Sequence, residues 1–157
     1  MPPWQPSASG WRRTAWPCTR RRREVGDCRQ PEEGFDFLGY RFAAGRRWVR
    51  KKSLTRIKNR IRAKTKRTRG DSLTRIVADL NPVLRGWFGY FKHAHPYTFP
   101  AVDGFVRRRL RALLRKQERR PGFGRCLADQ TRWTNAFFAK AGLFALYPAW
   151  LAAKHSR

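Results

Sequence analysis

From Ser53 to the C-terminal end, apolar residues recur at intervals of three and four, the period of one face of a helix. Leu54, Ile57 and Ile61 form the first such stripe and predict a helix over about residues 53–68, ended by Gly70. Asp71 or Ser72 stands where a second helix needs its cap, with Leu73, Ile76, Val77 and Leu80 on the buried side. Asn81-Pro82 reads as the N-cap and first-turn proline of a third, whose apolar side holds Val83, Leu84, Trp87, Phe88 and Phe91. Residues 93–100 read as a loop. A fourth helix, about residues 100–119, buries Val102, Phe105, Val106, Leu110, Leu113 and Leu114 and turns Arg107, Arg108, Arg109, Arg111, Arg115 and Lys116 outward. Pro121-Gly122-Phe123-Gly124 breaks the pattern. Asn135 caps a short helix through Ala141, closed by Gly142, and residues 147–154 form a final turn or two.

Ahead of these helices the period changes. Phe35-Asp36-Phe37-Leu38-Gly39-Tyr40-Arg41-Phe42 alternates, with Phe35, Phe37 and Gly39 on one face and Leu38, Tyr40 and Phe42 on the other. Ala43-Ala44-Gly45 then links it to Arg46-Arg47-Trp48-Val49-Arg50, with Gly45 suited to positive φ, so a β-hairpin is predicted. A lone two-stranded hairpin is marginal in water and must dock on something, which the chain itself need not supply. Pro2, Pro3, Pro6 and Pro17 interrupt any period in the first thirty residues. The expected organisation is therefore mainly α. Residues 1–33 are an irregular, disordered leader, residues 34–50 a β-hairpin, and residues 51–157 a small helical bundle.

Charge sharpens this picture. The formal net charge is +27 over 157 residues and the pI about 11.8. Such a surplus favours nucleic acid or an anionic surface as partner. Aromatic residues make up 14% of the chain and include seven Trp, too many for a disordered basic tail. No apolar run is long enough for a membrane span, and no apolar stretch follows Arg20–Arg23 as a secretory signal would require. Cys18, Cys28 and Cys126 are odd in number and lack CxxC spacing, which fits a reducing cytoplasm and argues against a disulfide framework or a zinc site.

The surplus is concentrated in KKSLTRIKNRIRAKTKRTR, residues 51–69, where ten Lys or Arg occur and no acid. Lys51, Lys52, Arg56, Lys58, Arg60, Arg62, Lys64, Lys66 and Arg67 are the candidate nucleic-acid-binding cations. Arg matches phosphate with a planar fork and Lys with a point charge. Arg107, Arg108, Arg111 and Arg115 form a second, weaker candidate face, and Arg85 is expected to point outward to a phosphate. Trp87 and Phe91 read as core, whereas Tyr90 is a candidate for base stacking. Reaction chemistry is missing from the pattern: there is no GxxxxGK[ST], HExxH or GxSxG, and no carboxylate pair fits metal or acid–base work. No catalytic residue, metal or cofactor is expected.

Three segments also resemble one family. GFDFLGYRF (residues 34–42) resembles the last block of group II intron reverse transcriptases, at the edge of the palm. LNPVLRGWFGYF (residues 80–91) is similar to the signature of their maturase-specific domain, also called domain X or thumb. RWTNAFFAKAGLFAL (residues 132–146) resembles the C-terminus of bacterial members. The resemblance implies a helical domain that binds structured group II intron RNA, assists folding and splicing, and as a thumb grips template–primer, including RNA–DNA duplex. The family's Tyr-Ala-Asp-Asp polymerase motif has no counterpart here, so reverse transcription does not carry over. The expectation is a truncated intron-encoded protein acting as a non-catalytic RNA binder. Its alternatives are a non-functional remnant, or a thumb subunit completing a separately encoded reverse transcriptase palm in trans.

Overall fold

A computed structural model describes residues 34–155; the proposed leader at residues 1–33 lies outside them. Three short strands, β1 (Phe35–Phe37), β2 (Tyr40–Ala43) and β3 (Arg46–Val49), precede six helices. These are α1 (Lys51–Lys64), α2 (Leu73–Phe91), α3 (Thr98–Gln117), α4 (Leu127–Arg132), α5 (Asn135–Lys140) and α6 (Leu146–His155). The mainly α architecture with an antiparallel sheet in front agrees with the sequence reading.

The sheet differs from it in detail. It is an antiparallel meander in the order β1-β2-β3, because residues 35–42 are not one strand but two. Leu38 and Gly39 both take positive φ, 46° and 82°, and make the two-residue turn that such geometry favours. Ala44 and Gly45 repeat the device at 51° and 66°. The first turn resets the alternation: Phe35 pairs with Phe42 and Phe37 with Tyr40. These residues therefore share one face, and the Phe35 and Phe42 rings stack at 5.0 Å.

The sheet finds its support inside the chain. Tyr40 Oη donates to Tyr90 O at 2.6 Å, and Tyr90 Oη donates to Leu38 O at 2.7 Å. His95 N donates to Arg47 O at 2.7 Å, and Trp48 stacks on His95 at 4.1 Å. Val49 is buried in the same core as the helices. Phe37, at the far end of β1, stays 58% exposed.

The second and third helices expected from sequence are one. α2 runs through Pro82, because Ile76, Val77, Leu80, Leu84 and Phe91 keep a single buried stripe across it. Pro82 and Ala78, whose carbonyl loses its helical partner, lie on the exposed side, where water offsets the loss. Asn81 is consequently not a cap. Its Nδ2 donates to Gly142 O at 2.8 Å, while its Oδ1 accepts from Phe144 N at 2.9 Å, fastening the C-terminal segment to mid-helix. The cap of α2 is Ser72, whose hydroxyl accepts from Arg75 N.

α3 supplies the rest of the core through Phe99, Val102, Val106, Leu110 and Leu113. It begins at Thr98, two residues before the expected start, and packs against α6 and α1. Asp103 is buried within α3 and accepts from Leu146 N at 2.9 Å and Tyr147 N at 3.0 Å. It thereby caps the start of α6 from a neighbouring helix. Burial holds its carboxyl above the usual carboxylate range, against those two hydrogen bonds. Thr134, not Asn135, caps α5, its hydroxyl accepting from Phe137 N at 3.2 Å.

Candidate nucleic-acid interface

α1 owes its position to Ile57 and Ile61, which are buried against α2 and α3. Its polar surface is not uniformly basic. Thr55, Asn59 and Ala63, four residues apart, form a neutral crest opposite the buried stripe. Cations flank that crest on two sides. Lys52, Arg56, Arg60 and Lys64 follow one another at intervals of four, spanning about 18 Å along the axis. All four are exposed. Lys58 and Arg62 occupy the other flank, over the Phe105 ring of α3 at 5.9 and 5.3 Å.

Lys52, Arg56 and Arg60 of the first flank form one bank of a groove of about 590 Å³ between α1 and α2. Arg50, Lys52, Arg56 and Arg60 stand on the α1 side, and Pro82, Val83, Trp87 and Tyr90 on the α2 side. Among the described residues no carboxylate lines it, although Arg50 is paired with Asp36 at 2.8 Å. Trp87 is half-buried, and its Nε1 is shielded from water without a hydrogen-bond partner among the described residues. Tyr90 is 54% exposed even though its hydroxyl ties down the first sheet turn. Gly86 leaves the α2 bank low, as a Cβ there would meet nothing within 4 Å. A groove with guanidiniums on one side and flat rings on the other suits a sugar–phosphate chain with an adjacent base.

The structure distributes the remaining sequence candidates unevenly. Lys51 and Lys66 are exposed. Arg67 is partly buried, donating to Gly122 O at 3.0 Å and lying over Phe123. Arg85 is exposed above Phe144 at 5.3 Å. Arg107 is half-buried and Arg108 exposed, the latter 5.5 Å from the Phe105 centroid.

Arg111 and Arg115 do not belong to an outer face. Arg111 is buried and donates to Trp133 O at 3.0 Å, and burial, followed by repulsion from Arg107, pulls its pKa down. Arg115 chelates buried Asp129 at 2.7 and 2.8 Å and also reaches Cys126 and Pro121. Helical spacing placed both outside the apolar stripe, but α4 and the preceding loop cover that side of α3. Arg109 is likewise engaged, donating to Thr65 O at 2.7 Å and so closing the C-terminus of α1. Arg69, last of the basic run, is paired with Asp71 and Asp79.

Among the described residues, no cluster of His, Cys, Asp or Glu is grouped to hold a metal ion. No described helix is long and apolar enough to cross a membrane. Residues 54–133 match the family model for the group II intron maturase-specific domain. No curated protein matches the chain.

Proposed function

Because the chain belongs to the group II intron maturase-specific domain family, we propose that it binds structured intron RNA and assists its folding and splicing, without catalysing a step itself. One observation carries this reading: Lys52, Arg56 and Arg60 on α1 face Trp87 and Tyr90 across a single groove, which no carboxylate lines among the described residues. Lys52, Arg56, Arg60 and Lys64 lower the repulsion between phosphates where RNA segments must approach closely. Trp87 and Tyr90 accept an unpaired base, while transesterification belongs to the RNA. Such contacts position the protein and read little sequence, so recognition rests on RNA shape. The setting is the cytoplasm.

The test is the salt dependence of binding to a folded group II intron RNA, compared with the variant K52Q/R56Q/R60Q/K64Q. If the four cations each meet a phosphate of the unpaired strand, raising salt from 50 to 200 mM weakens the native protein about 50-fold more than the variant. Equal salt slopes would place the contact surface elsewhere.

A second reading has its own observation. β1 is an edge strand with no further partner among the described residues, and Phe37 and Leu38 are exposed at its end. An open edge of this kind accepts another chain, as a thumb subunit completing a separately encoded palm would require. Co-purification with a palm-containing chain distinguishes it from the stand-alone binder.

A further inference from the structure

Arg62, on the second cationic flank of α1, belongs to a different concavity. Arg62, Arg67, Arg108, Arg109 and Arg125 converge on a cavity of about 240 Å³ between α1, α3 and the loop before α4, walled by Phe105, Phe123 and Ala112. No carboxylate lines it, and none of the five arginines is paired with an acid among the described residues.

Four of the five side chains are held in place. Arg62 and Arg108 stack on Phe105, Arg67 lies over Phe123 at 4.9 Å, and Arg109 is fixed to Thr65. The outer wall is rigid as well. Gly124 has φ +68°, and a Cβ there would lie 2.6 Å from Ala112 N, so the loop sits directly on the α3 backbone. Two observations show an unmet demand for negative charge. Arg67 Nε is buried without a hydrogen-bond partner among the described residues. Burial, followed by Arg62, Arg67 and Arg108, pulls the Arg109 pKa down, as expected of cations crowded together without an anion.

We infer that this cavity is a binding site for a single phosphate group, separate from the α1–α2 groove. Its size argues for one small anion: it has room for about eight waters' share of liquid, and it is smaller than the roughly 300 Å³ at which small-molecule sites begin. Tetrahedral oxygens match several guanidinium forks at once. Two sources offer that chemistry, a phosphodiester pinched at a sharp bend of the RNA chain and a terminal or free phosphate. Only assignment to an RNA chain rests on the proposed function; the phosphate site stands on its own geometry.

Thermal unfolding of the full chain at neutral pH, with inorganic phosphate titrated against sodium chloride of equal ionic strength, tests the site. Phosphate raises Tm beyond chloride and saturates. Arg108 and Arg125 make no hydrogen bond or ion pair within the described chain, so R108Q/R125Q folds. In chloride it melts at or above the native temperature, while its half-saturating phosphate concentration rises about tenfold per guanidinium removed. An equal response of native protein and variant, or no excess over chloride, overturns the site. Competition by a 5′-hydroxyl RNA oligonucleotide assigns it to backbone phosphate, and competition only by the 5′-phosphorylated form assigns it to a terminal phosphate. The variant K52Q/R56Q/R60Q/K64Q retains the phosphate response. Failure of the groove and failure of this pocket are thus read in different variants.

Discussion

Asp103 is the fold's most exposed point of failure in a chemical sense, a buried carboxylate joining two elements far apart in sequence. D103A removes both acceptors for the first N–H groups of α6. Leu146 is fully buried, so its donor is left without water, whereas Tyr147 is exposed and is rehydrated. An unsatisfied buried donor costs about 1–3 kcal/mol, and the lost bonds to a charged acceptor add to that. The gain from no longer burying a carboxylate offsets part of it. The net is a loss of about 3 kcal/mol, which for a domain of this size lowers Tm by about 10 °C.

D103N adds a pH readout. The folded carboxyl titrates above its ordinary value because burial disfavours the charge. Across the window between the unfolded and the raised folded pKa, the native state binds more protons. Stability therefore falls as pH rises through that window and is level above it. The asparagine variant lacks this component, so its stability relative to native improves over the same interval. Urea unfolding at several pH values, at constant ionic strength, measures the difference. A D103A protein as stable as native, or a native–D103N difference flat with pH, refutes the reasoning.

Other outcomes follow from single contacts. R111M lowers stability by about 1–3 kcal/mol in urea unfolding, because the buried Trp133 carbonyl loses its donor, whereas R108M changes it little. G124A destabilises by about 2–4 kcal/mol, through both its left-handed backbone and the collision with Ala112 N. Y90F loses the hydrogen bond to Leu38 O and about 0.5–1.5 kcal/mol; amide exchange accelerates first at the Leu38–Gly39 turn.

What the sequence made legible follows from which interactions are local. The buried stripes of α1, α2 and α3 depend on spacing alone and were correctly placed. The α2 cap, which depends on one side chain and its neighbouring backbone, is narrowed by sequence to Asp71 or Ser72, and the structure selects Ser72. Pro82 was misread because a proline after asparagine has the same local appearance at a helix start as within a helix. Only the packing of Ile76 through Phe91 on one core decides between them. The Leu38–Gly39 turn was hidden because leucine rarely takes positive φ, and α4 because six residues give no period. Arg111 and Arg115 were assigned to solvent on helical phase, which cannot reveal that the segment around Asp129 and Trp133 returns to cover them. The groove is half legible. Its cations stand out in the sequence, but the neutral crest of Thr55, Asn59 and Ala63, and the separation into two concavities, require the helix to be built and docked.

Nucleic acid bound as proposed lies in the α1–α2 groove, phosphates against Arg56 and Arg60 and a base against Trp87 or Tyr90. Ultraviolet cross-linking of the full chain to a folded group II intron RNA, with the attached peptides located by mass spectrometry, tests it most directly. Adducts concentrated on Trp87, Tyr90 and the α1 peptide are the predicted result. Adducts confined to Phe137, Tyr147 or Trp150, with the groove unmarked, would contradict it.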